Sequence, residues 1–171
     1  MIDIIAEIQR FFGASIVSKD PSPKFALVTG GTAVGKTRYR RKTYGPEYIV
    51  LDAADIFINL SRGQYFEFPS ILEEPMDIIG ASIARRAVLE RRNIVTEIIG
   101  HEYSPTKALI DAMLRANYSV DVVQLKKDVA EAWEWNLARS ETNISALYTE
   151  PYHRRWLLGA VAESYGTESA S

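Results

Sequence analysis

The feature that most constrains this chain is a short apolar run, Phe25 to Val28, that breaks at Gly30 into Gly-Gly-Thr-Ala-Val-Gly-Lys-Thr. An apolar run of this length entering Gly-Gly reads as a buried parallel strand leading into a tight turn. A helix-compatible segment begins at Lys36. Glycine, four residues, glycine, lysine and a hydroxyl residue is the Walker A spacing, and strand before and helix after is the context that gives the match its weight. Gly30, Gly31, Thr32, Ala33, Val34, Gly35, Lys36, Thr37 and Arg38 are therefore expected to hold a nucleotide. Glycines let successive backbone N–H groups converge on phosphate oxygens, and the following helix points unpaired N–H groups and a positive dipole end at the same anion. Lys36 would reach the β- and γ-phosphates, and the Thr37 hydroxyl would coordinate Mg2+.

The rest of the chain repeats the strand-helix alternation. Tyr48 to Asp52 is a second apolar run, entered through Gly45-Pro46. Ile71 to Arg92 carries apolar residues near helical spacing, with Pro75 expected to kink the helix or delay its start. Asn93 to Gly100 reads as a third strand and Tyr118 to Leu125 as a fourth. Between them, Ser104-Pro105 resembles a capped helix start and Asn117 a left-handed stop. Asp128 should cap a last helix on which Val129, Trp133 and Leu137 share a face, with Trp133 expected in the core. Such alternation predicts an α/β fold, a three-layer α/β/α sandwich around a mainly parallel sheet of four to five strands, P-loop NTPase and nucleotide-kinase-like. A single domain over 1–171 is expected, with an appended helix and linker at 1–20, a core at 24–158 and a polar, flexible tail at 159–171.

Ligands of open α/β sheets bind outside the carboxyl ends of the strands, so acids placed there matter. Asp52, Asp55 and Glu97 all qualify. Asp52 or Asp55 is expected to accept the proton of an attacking hydroxyl, while the other holds magnesium or its water, or simply caps the next helix. Asp55 is the preferred base. Glu97 and His101 are candidates for substrate contact, Glu97 alternatively for a metal-bound water. Arginine neutralises a migrating phosphoryl group well, and Arg139, Arg154 and Arg155 fall late in the chain where a closing cation is expected. Arg38, Arg40, Arg41 and Lys42 read instead as a basic outer face. Tyr65, Phe66 and Phe68 are candidates for an apolar wall around the acceptor.

Composition narrows the partners. Twenty Lys+Arg against 22 Asp+Glu give a net charge of −2, so no global field draws the chain to nucleic acid or to an anionic membrane. The chain has no cysteine and two histidines, which excludes thiolate metal sites and makes a zinc site improbable. The apolar residues of Met1 to Ala14 are interrupted by Asp3, Glu7, Gln9 and Arg10, so this segment reads as an amphipathic helix packed on the domain, not a signal peptide. A cytoplasmic location is the corresponding expectation.

From about Lys24 to Arg155 the sequence resembles the zeta toxin family of P-loop kinases. The resemblance is carried by GKTRYR (Gly35 to Arg40), VLDAADIF (Val50 to Phe57), NIVTEIIG (Asn93 to Gly100), LIDAMLRANYSVDVVQL and LARSE around Arg139. It implies transfer of phosphate from ATP, with Mg2+, to a hydroxyl of UDP-N-acetylglucosamine or a related sugar nucleotide. It also implies a small helical antitoxin as a protein partner. By the same resemblance Asp55 is the base, Glu97 binds substrate, and Arg139 with Arg154 or Arg155 closes on the phosphates. The family usually separates its two acids by one residue, whereas two lie between Asp52 and Asp55. Two other functions fit the donor motif: a kinase of nucleosides or an antibiotic, and a non-catalytic nucleotide-binding module that presents a surface to a protein partner.

Overall fold

In the computed structural model, residues 3–18, 21–31, 33–61, 70–100 and 102–138 are described. Four strands form one parallel sheet: β1 (Lys24–Thr29), β2 (Tyr48–Leu51), β3 (Asn93–Ile98) and β4 (Ser119–Gln124). Their order across the sheet is β2-β3-β1-β4. Leu27 of β1 lies opposite Thr96 of β3 and Val122 of β4, so β1 is flanked on both sides. A strand buried on both faces reads as continuously apolar, and Phe25 to Thr29 are all buried, which is why this run stood out in the sequence.

Alternate β1 residues feed two cores. Phe25 and Leu27 join Ile49, Ile79, Ile83, Ala87 and Ile94 on one face, whereas Ala26 and Val28 join Val95 on the other. The larger core is closed by α1 (Ile4–Gly13), α3 (Ala53–Ser61), α4 (Ser70–Leu89) and α5 (Tyr103–Arg115). Ile79, Ile83 and Ala87 stand four apart, giving α4 a single apolar stripe. On the opposite face, Tyr39 of α2 (Lys36–Thr43) packs with Tyr44 and Tyr48 against the smaller core.

The N-terminal helix is docked on the sheet domain, as its pattern predicts. Asp3 caps it by accepting from Ala6 N at 2.9 Å. Phe11 and Phe12 are buried. The Arg86 guanidinium lies 4.0 Å from the Phe12 ring centroid, and Arg92 Nη2 donates to Ser15 Oγ at 2.5 Å. These contacts anchor α1 through its last turn.

Several local expectations are corrected. Helix α5 begins at Tyr103, with Glu102 before it, so Ser104 is not its cap. Thr106 Oγ1 instead donates to Glu102 O at 2.9 Å, and Pro105 still falls in the first turn, where a missing N–H has no partner to lose. Helix α4 starts at Ser70, upstream of Pro75, and ends at Leu89 rather than running to Arg92. Arg91 takes φ 54°, and its neighbour Arg92 N donates to Ala87 O at 2.9 Å, closing the helix with a Schellman turn. Asn117 does the same for α5 at φ 59°, with Tyr118 N donating to Met113 O at 3.0 Å, as its left-handed preference predicts. Helix α6 (Val129–Leu137) is capped by Asp128, which accepts from Ala130 N and Glu131 N. Its buried positions are Ala132 and Asn136, while Leu137 is exposed and Trp133 only half-buried. Among the described residues, no helix is long and apolar enough to cross a membrane.

Candidate functional site

Between β1 and β2 the chain crosses over β3, and between β3 and β4 it crosses over β1 in the other direction. The connections therefore diverge beyond the carboxyl ends of β1 and β3, which is where open α/β sheets bind ligands. The phosphate-loop sequence, Gly30 to Thr37, leaves β1 at this point.

Backbone geometry explains its glycines. Gly30 has φ 146°, and a Cβ there would meet Leu125 O at 2.5 Å and Val34 Cγ2 at 2.8 Å. Gly35 has φ 99° with open space around it, so conformation alone selects glycine. Ala33 carries φ 60° without that freedom, a local strain held by a loop whose ends are fixed. Gly30 N donates to Ile99 O at 3.3 Å and Leu125 N donates to Thr29 O at 2.9 Å, tying the loop to the segments after β3 and β4. Lys36 Nζ bends back over the loop, donating to Gly30 O at 2.8 Å and Gly31 O at 2.7 Å. An ammonium held by two carbonyls of the loop lies where phosphate oxygens could exchange for them.

A chain of polar contacts runs from this loop across the strand ends. Thr37 Oγ1 donates to Glu97 Oε2 at 2.9 Å. The other Glu97 oxygen accepts from Arg40 Nε, and Arg40 Nη2 donates to Asp52 Oδ2 at 3.3 Å. Asp52 Oδ1 accepts from Ala54 N at 3.0 Å, so this carboxylate caps α3 and pairs with Arg40 at once. The three charged side chains are only 7–15% exposed. Burial, and then the Glu97 charge, push the Asp52 carboxyl above its ordinary pKa, and Arg40 opposes them only in part.

The fold, a four-stranded parallel sheet with helices, is consistent with a P-loop NTPase-like fold. It is similar to a chain of the PezAT chromosomal toxin–antitoxin system of Streptococcus pneumoniae, with 16% identity and a TM-score of 0.61, over 92% of this chain and 66% of that one. It is also similar to a chain of the Pnkp1/Rnl/Hen1 RNA repair complex, with 10% identity and a TM-score of 0.62, over 84% of this chain and 45% of that one. This chain thus spans less than two thirds of those chains' own lengths. No family model and no curated sequence matches it. At such identities the likeness concerns the fold, and residue roles rest on this chain's own geometry.

Of the residues singled out in the sequence, Lys36, Thr37, Asp52 and Glu97 are brought together at the strand ends. Asp55 is turned elsewhere: its Oδ2 lies 3.5 Å from Arg10 Nη1 of α1, and its side chain is 46% exposed. Arg10 also donates to Glu7, and Asn59 Nδ2 reaches the same Glu7 at 3.1 Å, so α1 and α3 are joined beside the site. Thr32, His101, Arg139, Arg154, Arg155, Tyr65, Phe66 and Phe68 lie outside the described residues. Arg38 is exposed, as an outer basic face requires.

Arg40 is the residue that sequence reasoning misassigned. It is buried and bridges two acids, not part of the solvated face of Arg41 and Lys42. A signal was present: three residues after Thr37 and four after Lys36, Arg40 shares their side of α2.

Proposed function

We propose that this chain is an ATP-dependent, magnesium-assisted phosphotransferase acting on a hydroxyl of a small molecule, with a sugar nucleotide such as UDP-N-acetylglucosamine as the favoured acceptor. The observation that carries the reading is the Thr37–Glu97 contact, which joins the phosphate-loop hydroxyl to an acid at the end of the neighbouring strand. That pairing is how P-loop enzymes frame a magnesium ion between loop and strand. Among the described residues no group of three or more His, Cys, Asp or Glu could hold a metal alone. This donor set fits Mg2+, which keeps its waters and is shared with substrate phosphates. Thr37 would be the direct ligand and Glu97 would orient a metal-bound water. Magnesium, when bound, would neutralise charge on the β- and γ-phosphates.

The residues then divide the work. Backbone N–H groups from Gly31 to Thr37 cradle the phosphates, and Lys36 leaves the Gly30 and Gly31 carbonyls for them. The acceptor hydroxyl oxygen bonds to the γ-phosphorus as the bond to the β,γ-bridging oxygen breaks. Its proton passes to a carboxylate, and ADP departs. We favour Asp52 as the base, because it lies at the strand ends beside Glu97 and Arg40, where burial raises its carboxyl above the ordinary range. Asp55, tied to Arg10, is the alternative. Arg139, Arg154 and Arg155 remain candidates for charge neutralisation. A helical antitoxin is a proposed partner, consistent with the toxin–antitoxin origin of one structural neighbour.

The test is to incubate the chain with magnesium-ATP and a panel of sugar nucleotides, nucleosides and aminosugars, and to look by mass spectrometry for a gain of one phosphate. The expected product is a phosphorylated sugar nucleotide, with Lys36→Ala reducing transfer by about 100- to 1,000-fold. A Lys36→Ala protein with full activity would sink the phosphotransferase reading. Absence of any phosphorylated sugar nucleotide would remove the favoured acceptor.

A further inference from the structure

Arg40 is buried on the sheet side of α2, and its two partners come from different strands. Nε is given to Glu97 in β3, while Nη2 is given to Asp52, just beyond β2. Glu97 offers its second oxygen to Thr37, and Asp52 its second to the first turn of α3. Each carboxylate is thus held at both oxygens, and a single guanidinium sets the orientation of one relative to the other. The planar fork of arginine makes this possible, because N–H groups on one rigid plane point in two fixed directions.

Stability does not account for this arrangement. One guanidinium against two carboxylates leaves one negative charge in excess in a confined place, and buried ion pairs are weak stabilisers even when balanced. Such an excess of negative charge beside a phosphate loop is what a divalent cation would neutralise. Losing a group that orients metal-binding oxygens from the second layer commonly costs about 10- to 100-fold in metal affinity.

Resting on the phosphotransferase reading above, we propose that Arg40 is a positioning residue that, anchored on Asp52, holds the Glu97 carboxylate in the orientation needed to receive magnesium with the triphosphate.

The role separates from simple support of the fold in its dependence on magnesium. ATP binding to the full chain is measured by calorimetry with Mg2+ and with excess EDTA, for the wild type, Arg40→Lys and Arg40→Gln, with thermal midpoints recorded alongside. Arg40→Lys is the decisive variant, because it keeps the charge and the apolar stem yet presents one ammonium in place of a fork. The expected result is near-wild-type ATP affinity in EDTA, where the phosphate loop acts alone. The gain in affinity on adding magnesium should fall by about 10- to 100-fold. Arg40→Gln, where it folds, should lose the gain to at least the same extent. An Arg40→Lys protein with the wild-type magnesium gain would overturn the positioning role and leave only a need for positive charge. So would equal weakening with and without magnesium, which marks a general structural defect. A wild-type chain that binds no ATP under either condition would instead defeat the phosphotransferase reading itself, so the two failures are distinguishable.

Discussion

Arg40 and Arg10 each lie between two carboxylates, yet the two bridges differ in exposure. Arg40 joins Glu97 and Asp52 with side chains no more than 15% exposed, on the donor side of the site. Arg10 joins Glu7 and Asp55 with its own side chain 41% exposed and that of Asp55 46%, where α1 meets α3. The same residue types therefore do different things. In a confined, poorly solvated place charge is costly to strand, so the Arg40 bridge fixes geometry. At an exposed seam, water and salt screen the attraction, so the Arg10 bridge biases the position of α3 without enforcing it. The contrast predicts a rigid donor side and an adjustable side carrying Asp55.

The largest test of this contrast is removal of charge. Arg40→Met strands two facing carboxylates, and the expected loss is about 3–5 kcal/mol of unfolding free energy. Urea denaturation at neutral pH measures it. A loss below about 1 kcal/mol, the range of an exposed pair, would erase the distinction between the bridges.

Next in size is Gly30→Ala. A methyl group 2.5 Å from Leu125 O forces the backbone apart at the junction of the loop and the β4 segment. Strain of about 1–3 kcal/mol is expected, with ATP affinity falling because the loop amides no longer converge. Gly35→Ala carries only the conformational penalty and should lose less in both measurements. Equal effects at the two glycines would mean that the close approach at Gly30 is unimportant.

Asp52 supplies a change of opposite sign. A carboxyl whose folded pKa is raised contributes stability that is present below its unfolded pKa, and that stability is lost as pH rises through the folded value. The ionised form of Asp52 is therefore a burden, mainly from burial and the neighbouring Glu97. Asp52→Asn should melt at a higher temperature than the wild type at pH 7, with the advantage shrinking as pH falls through the raised folded value of Asp52, where the wild-type carboxyl takes up its proton. If Asp52 is the base, the stabilised variant should also lose phosphoryl transfer. Asp55→Asn should then retain most of it, and the reverse pattern would assign the base to Asp55.

How much of this was legible in the sequence follows from where each residue's partners lie. Strand β1 was readable because a buried parallel strand leaves an unbroken apolar run, and Gly30 to Thr37 because its chemistry is local in sequence. Asn117 announced a helix end by its own conformational preference, whereas Arg91, equally left-handed, did not. Its side chain secures that turn by donating to Ala116 O at 2.7 Å and Asn117 O at 3.2 Å, contacts that exist only after folding. Arg40 was hidden for the same reason. Its acids lie 12 and 57 positions away, and within its own helix it is one of a run of basic residues. The pairing of Asp52 and Asp55 misled in the other direction: three residues apart at a helix start, they suggested one shared site. The first turn of α3 instead directs Asp52 to Arg40 and Asp55 to Arg10.

The smallest expected effect closes the comparison. Arg10→Met removes an exposed bridge, and its apolar replacement can keep some of the packing that the arginine makes over the Phe11 ring at 4.3 Å. The loss should be about 0.2–1 kcal/mol in dilute salt. It should shrink further at 1 M salt, where the screening length is about 3 Å. The Arg40→Met loss should change far less over the same range, because buried pairs are little screened. The informative quantity is therefore the difference in salt dependence between the two variants, measured by urea denaturation of each at low and high ionic strength. If Arg10→Met proves as costly and as salt-independent as Arg40→Met, then α1 is a rigid part of the site. Asp55 would in that case be held as firmly as Asp52, and the case for an adjustable side would fail.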